Sequence, residues 1–360
     1  MRFVCERKEL EKRVQWISKI IPARSTKESL SSMLIKTEPP DRLYLYGTNI
    51  EMGIETIMKC ETDQEESFLV SAKLFRDIID SLSSNTIIGD LEDKTLNITA
   101  DMTIYHIPTQ NMTDFPVMDD IIPEKELSIN ANTLKDAVKK VIPFVDRTNL
   151  RPVLSGIFID ARENQINFVS TDANRLAVKT VPIGGISKGV ILPSLSLETI
   201  VDAQVEGDVI LEFSNSRVRF RCDDLRLTTS TIEGTFPVYE RVIPKEFVTR
   251  LKLEKDALKN SIRRVLPISR EEDYAVKFSI KKDRLIVSAR SPIGVVFDEL
   301  SLVPEGDELD ITFSANYILD FLSVGDGVIT ISLSGELSSA LFTFDNDPDF
   351  IYVTMPMEAE

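Results

Sequence analysis

LEKRVQWI (Leu10–Ile17), LKDAVKKV (Leu134–Val141) and LKNSIRRV (Leu258–Val265) are the stretches that decide the fold. Each places apolar residues at i, i+4 and i+7: Leu10, Val14 and Ile17, then Leu134, Val138 and Val141, then Leu258, Ile262 and Val265. That spacing is the buried face of an amphipathic helix. The three stretches lie 124 residues apart, and self-similarity at a fixed period marks a chain assembled from copies of one unit.

A second pattern follows the first in every copy. VSAKLFRDII from Val70, LPSLSLETIV from Leu192 and FSANYILDFL from Phe313 each read as a strand, a small-residue cap and a helix. Ser71, Ser194 and Ser314 are the expected caps, because a serine oxygen accepts a bond from an orphan N–H of the first turn. A third marker, DFPV at Asp114–Val117, returns as TFPV at Thr235–Val238. Between the helices lie alternating segments broken by Asn, Asp, Gly and Ser, among them RLYLYGTNIEMGIET, TLNITADMTIYHI, GIFIDARENQINFVSTD, DVILEFSNSRVRFRC, KFSIKKDRLIVSA and GVITISLSGELSSALFTF. Period-2 alternation around such breaks is the pattern of antiparallel hairpins. The expected fold is α+β, with three tandem similar domains at residues 1–122, 123–247 and 248–360, each of two helices packed on antiparallel sheet. Charged, proline-containing stretches at Val117–Glu126 and Val242–Arg250 suit the two linkers.

The chain offers little to catalysis. It has no GxxxxGK[ST] phosphate loop, GxGxxG fingerprint, GxSxG elbow or HExxH helix. His106 is the one histidine, and its setting MTIYHIPT reads as a strand with a structural role. The pairs Asp119–Asp120 and Asp223–Asp224 are expected by composition among 58 acidic residues and read as solvated turns. Cys5, Cys60 and Cys222 are odd in number and without CxxC spacing, so they read as core thiols rather than a disulfide framework or a zinc site. No catalytic residue, metal or cofactor is expected. No apolar run approaches the roughly 20 residues that span a bilayer. The N-terminus turns charged too early for a signal peptide, so a cytoplasmic protein without membrane partners is the expectation.

Charge distribution carries more than the total of −16, which by itself argues against nucleic acid. The first helix of each copy is basic: Glu6–Arg24, Asn132–Pro143 and Glu254–Pro267 carry net charges of +3, +2 and +2. Lys139–Lys140 and Arg263–Arg264 occupy matching positions. If equivalent helices faced one axis, they would form a positive surface that binds a polyanion through its phosphates without reading sequence.

Several strings resemble one family in the expected order: MRFVCERKEL at the start, GTNIEMGIE from Gly47, LRPVLSGIFI from Leu150, STDANRLAV from Ser170, EGTFPVYERVIP from Glu233 and YVTMPM at Tyr352–Met357. They are similar to the bacterial DNA polymerase III β sliding clamp, and the resemblance covers the whole chain. It implies a DNA clamp fold and a head-to-tail homodimeric ring around double-stranded DNA. The ring is a processivity factor without catalytic residues. Implied partners are the α subunit of the replicative DNA polymerase, the clamp-loader complex and repair factors carrying a clamp-binding peptide.

The same resemblance implies site residues. A peptide pocket falls on Leu154, Thr171, Asp172, Ala173, Asn174, Arg175, Leu176, Pro237, Arg241, Val242, Leu337, Ser339, Val353, Met355, Pro356 and Met357. DNA contacts fall on Arg24, Lys73 and Arg151, with Arg147 nearby; Lys139, Lys140, Arg263 and Arg264 join them from the charge pattern. The ring interface falls on Tyr105 and Ile107 from a first-domain edge strand and on Pro267 and Ile268 after the third-domain helix. Ala173–Asn174 departs from the family's usual Gly or Ser followed by His. Two alternatives stand beside the clamp: a carboxylate-using hydrolase or transferase, and a non-catalytic scaffold of the same fold that does not encircle DNA.

Overall fold

Apolar alternation and helical periodicity resolve into two compact units in the computed structural model, which describes residues 1–358 apart from Arg24, Thr26, Thr113 and Asn149. One unit comprises residues 1–134 and 195–231, the other residues 135–194 and 232–360.

In the first unit, a five-stranded sheet runs in the order Glu61–Thr62, Arg2–Glu6, Thr86–Glu92, Thr95–Ala100, Thr103–Pro108. An eight-stranded sheet follows Lys125–Asn130, Asp208–Phe213, Arg217–Cys222, Leu225–Ser230, Met52–Lys59, Arg42–Thr48, Ser32–Glu38 and Glu66–Ser71. Leu227 opposite Ile54 marks where strands of the first and second copies join.

The second unit repeats this plan. Its nine-stranded sheet runs Lys188–Pro193, Gly156–Ala161, Ile166–Thr171, Arg175–Val181, Asp347–Thr354, Ala340–Phe344, Val328–Leu333, Thr249–Glu254, Glu305–Gly306. A four-stranded sheet runs Gly294–Ser301, Arg284–Ser291, Ala275–Lys281, Leu309–Ser314. Here the second and third copies join, with Leu176 opposite Val353 and Ala177 opposite Tyr352. Neighbouring strands are antiparallel throughout the described ladders, as the hairpin segments require.

The repeated helices are Arg7–Ile20, Ala131–Val141 and Lys255–Ser269, and all nine periodic residues from Leu10 to Val265 are 2 % exposed or less. Each such side chain, taken out of water, stabilises the fold by about 1.5–3 kcal/mol. The second helices are Ala72–Ser81, Ser194–Asp202 and Ala315–Ser323. Capping is less uniform than the repeat suggests. The Ser71 hydroxyl accepts from the Leu74 N–H at 3.5 Å, Ser314 occupies the cap position without a side-chain bond, and Ser194 is already the first helical residue.

The two FPV markers pin the chain where it leaves a domain. Phe115 is buried with its ring edge-on to Tyr46, centroids 5.9 Å apart, and Phe236 is buried and stacked on Phe158 at 4.8 Å. Asp119, Asp120 and Asp223 are exposed and Asp223–Asp224 form a turn, while two members of the pairs also hold arginines. Asp224 ion-pairs with Arg13, whose side chain is 7 % exposed, and Asp120 with Arg219. Among the described residues no helix is long and apolar enough to cross a membrane, and no group of three or more His, Cys, Asp or Glu is placed to hold a metal ion.

Candidate functional site

The stretch STDANRLAV forms a tight turn between the strands Ile166–Thr171 and Arg175–Val181. The Thr171 hydroxyl donates to the Arg175 carbonyl at 2.6 Å and accepts from the Ala173 N–H at 3.1 Å. The Asp172 carboxylate accepts from the N–H groups of Asn174 and Arg175, both at 3.0 Å. This closure forces Ala173 into the left-handed region at φ 80°, a conformation rare for residues other than glycine.

Arg175 is not a free cation. Its guanidinium donates to Asp172 at 2.8 Å and to Asp320 at 2.6 Å, and lies 4.4 Å from the centroid of the Tyr317 ring. With its side chain 10 % exposed, it serves as a neutralised wall.

Beside the turn is a cavity of about 240 Å³. Of the expected pocket residues, Leu154, Thr171, Ala173, Asn174, Arg175, Leu176, Pro237, Val242, Val353 and Met355 line it. Arg151 lines it too, as do Val238 and Tyr239, which sequence reasoning missed. The signal was available in the repeat, because Val238 closes the FPV marker and Tyr239 directly follows it. The floor is dry: Leu154, Leu176 and Val353 are each 3 % exposed and belong to one core cluster with Val169, Phe236 and Tyr239. The mouth is apolar but wet, with Val238 58 %, Val242 50 % and Met355 46 % exposed.

The remaining expected residues surround the cavity rather than line it. Asp172 borders a second recess of about 670 Å³ on the same turn, shared with Arg147, Arg151, Asn174 and Tyr317. Arg241 ends the short helix Tyr239–Arg241 and is exposed. Leu337 is 74 % exposed, the Ser339 hydroxyl donates to the Val242 carbonyl at 3.4 Å, and the Met357 N–H donates to the Thr312 carbonyl at 2.8 Å, with Pro356 between Met355 and Met357.

A polar network beneath the cavity holds its wall. The Tyr239 hydroxyl donates to Asp160 at 2.7 Å and accepts from the Asn167 amide at 2.9 Å, and Arg162 pairs with both Asp160 and Glu240. Burial opposes the Asp160 charge, but bonds from Arg162 and Tyr239 hold its carboxyl below the usual carboxylate range.

The first unit contains the same turn with different surroundings. The Thr48 hydroxyl donates to the Met52 carbonyl at 2.7 Å and accepts from the Ile50 N–H at 2.9 Å, Asn49 accepts from the Met52 N–H at 2.7 Å, and Ile50 stands at φ 81°. In this copy Gly53 holds the position of Leu176, and a Cβ there would meet the Tyr46 hydroxyl at 2.8 Å and the Met118 sulfur at 3.0 Å. The corresponding recess, about 300 Å³, is lined by the charged residues Glu55, Asp119, Asp120, Arg219 and Arg226. Of these two recesses among the described residues, the one at the second junction is the apolar one.

The basic helix faces are less uniformly free than composition suggests. Consecutive residues on a helix diverge by about 100°, so a basic pair splits. Lys139 and Arg263 are exposed, whereas Lys140 turns aside to Asp347 and Asp136, and Arg264 makes two bonds to Asp298 at 2.8 and 2.6 Å. Arg13 is buried, and Arg7, Lys19 and Lys255 pair with Glu11, Asp202 and Asp326. Lys73, Arg147 and Arg151 are exposed, and Arg24 lies outside the described residues.

Two of the sheet edges present large exposed apolar side chains. Thr103–Pro108 ends the five-stranded sheet with Ile104 56 % exposed, and Met102 just before it is 99 % exposed. Tyr105 is half-buried, but Ile107 is 1 % exposed and faces the core, so it offers backbone rather than side chain to a partner. His106 points outward, its Nδ1 2.6 Å from Asn97 Oδ1. Gly294–Ser301 ends the four-stranded sheet with Val295 62 % and Phe297 68 % exposed, and Ile293 before it is 66 % exposed. Pro267 and Ile268 lie in the last turn of the Lys255–Ser269 helix, exposed and half-buried respectively.

Comparison with known proteins is consistent along the whole chain. Family models for the N-terminal, central and C-terminal domains of the DNA polymerase III beta subunit match residues 1–119, 128–238 and 240–358. The beta sliding clamps of Vibrio cholerae and Escherichia coli K12 are each 26 % identical, over 99 % of this chain and 100 % of theirs. The crystal structure of the Pseudomonas aeruginosa sliding clamp bound to griselimycin superposes with a TM-score of 0.95 at 25 % identity, covering 100 % of both chains. The Thermotoga maritima DNA polymerase III beta subunit gives a TM-score of 0.95 at 23 % identity, again over 100 % of both chains, a likeness of fold.

Proposed function

Because the chain belongs to the DNA polymerase III β-subunit family, we propose that it is a sliding clamp whose second-junction cavity holds a short peptide of the replicative polymerase. The family's work is processivity, not catalysis. A closed ring retains polymerase on DNA by topology, so the protein supplies surfaces rather than reacting groups.

The observation that carries the peptide reading is the contrast between the two junctions. One turn is built twice, and among the described residues it is the second copy that opens on an apolar cavity with a dry floor and an exposed apolar rim, whereas the recess at the first is lined by charged residues. Such a hole suits two or three aliphatic or aromatic side chains of an extended segment, with the Thr171–Arg175 turn and Arg151 orienting its polar backbone. The polymerase α subunit, the clamp loader and repair factors would then compete for one site.

Homodimerisation is supported by two apolar edge strands, Thr103–Pro108 in one unit and Gly294–Ser301 in the other. An unpaired apolar edge is an aggregation hazard, and continuous pairing with a second copy removes it. Duplex DNA is the expected guest of the ring, held by Lys73, Lys139, Arg147, Arg151 and Arg263 through phosphates. Such contacts are sequence-independent and weaken with salt.

The test is retention on DNA. Clamp loaded onto nicked circular DNA by a clamp loader with ATP should remain through gel filtration in moderate salt and be lost once the circle is linearised. Equal retention on circle and line, or none on either, overturns the ring and favours the scaffold of the same fold.

A further inference from the structure

Sequence separation hides a pairing of two cysteines. The strand Arg2–Glu6 pairs antiparallel with Glu61–Thr62, Phe3 opposite Thr62 and Val4 opposite Glu61. One residue further in the same register, Cys5 stands opposite Cys60. The Asp63 N–H donates to the Arg2 carbonyl at 3.3 Å, so residues 2 and 63 form a hydrogen-bonded position. By alternation, residues 5 and 60 then fall at a non-hydrogen-bonded position, where facing Cα atoms lie about 4.5 Å apart. That separation lies within the range a disulfide spans.

Both residues are buried, at 4 % and 3 % exposure, yet both line a surface recess of about 680 Å³. Lys8 and Lys59 line it as well, and both are exposed. A small oxidant entering that recess reaches two thiols at once. Cys222 lies elsewhere in the core, its thiol pushed by burial up to about 11.

We propose that Cys5 and Cys60 are a redox pair that closes to an intramolecular disulfide under a hydroperoxide. A thiolate of the pair attacks the peroxide oxygen and the O–O bond breaks; with one proton, water leaves and a sulfenic acid remains. The second thiol displaces the sulfenic hydroxyl as a second water, and the S–S bond forms. In sum, two thiols and one hydrogen peroxide give one disulfide and two waters. The bridge fastens the short Glu61–Thr62 strand to the N-terminal strand, on the sheet edge opposite Thr103–Pro108.

The Cys5 thiol is raised well above its ordinary value by its bond to Cys60 and by burial. Closure is therefore slow at neutral pH and accelerates up to about tenfold per pH unit on the alkaline side.

The test uses the full chain and hydrogen peroxide. Titration of free thiols in denaturant should fall from three to one. The intact mass should drop by two hydrogens, non-reducing peptide mapping should join the Cys5 and Cys60 peptides, and dithiothreitol should restore all three thiols. Cys222→Ser should leave the crosslink unchanged, and Cys60→Ser should abolish it. Three persistent thiols, oxygen-bearing products without crosslink, or chains joined to each other through Cys222 would each overturn the pair.

Discussion

The Tyr239 hydroxyl donates to the Asp160 carboxylate at 2.7 Å, and this bond fixes one wall of the apolar cavity from beneath. Tyr239→Phe removes the donor and leaves Asp160 and Asn167 each short of one partner. The expected loss is about 1–2 kcal/mol of stability in urea unfolding. Peptide affinity in calorimetry should weaken several-fold while the dimer persists. Unchanged affinity would separate the wall from the network.

The cavity rim offers a cleaner substitution. Val238 is 58 % exposed, so Val238→Asp should leave folding intact while placing a charge against an apolar ligand. Peptide affinity should fall at least about tenfold, equivalent to about 1.4 kcal/mol. Surface plasmon resonance with a polymerase-derived peptide reads it, and ultracentrifugation checks that the oligomer is unaffected.

Edge-strand residues divide by burial. Phe297→Asp, at a site 68 % exposed, should yield monomers in sedimentation with an unchanged far-UV circular dichroism spectrum. Ile107→Ala, at a site 1 % exposed, should instead destabilise the fold by about 2–4 kcal/mol. A dimer that survives Phe297→Asp would remove Gly294–Ser301 from the interface.

The DNA reading predicts a split within each basic pair. Lys139→Ala and Arg263→Ala should weaken loader-free equilibrium binding to short linear duplex and lower its salt dependence, by a log–log slope of about 0.9 for each phosphate no longer neutralised. Arg264→Ala should do little by comparison, because Asp298 already holds that guanidinium.

Acid sensitivity follows from Asp347. Burial opposes its charge, but bonds from Lys140 and Lys179 keep its carboxyl below the usual range. A depressed folded value means the contribution is present above the unfolded pKa of about 3.9 and is lost as pH falls through the folded one. Asp347→Asn should cost about 2–3 kcal/mol at neutral pH, since two lysines then share only Asp136, and should flatten the acid limb of the stability curve. Denaturant melts from neutral to strongly acidic pH decide it.

Much of this was legible in the residues. The nine helix positions and the hairpin breaks follow from periodicity alone, because burial of one face leaves a local trace in sequence. The FPV repeat likewise announced the two junctions. Contacts between distant residues leave no such trace. Nothing local shows that Cys5 meets Cys60, that Arg13 is buried against Asp224, or that Lys140 bends to Asp347 while Lys139 stays in solvent. The charge count over-read the basic helices for that reason. The site residues came from family resemblance, and it omitted Val238 and Tyr239, whose roles depend on how the segment after Phe236 folds back over Phe158.

The left-handed turn exists twice in each chain, at Ile50 and at Ala173, with φ values of 81° and 80°. Inhibitor design meets this duplication as a counting problem. A compound that recognises only the turn's backbone would bind with a stoichiometry of two and spend half its occupancy at the wrong junction. A compound that drives an apolar group down onto Leu176 would bind once, because Gly53 and the side chains crowding it leave no such floor in the other copy.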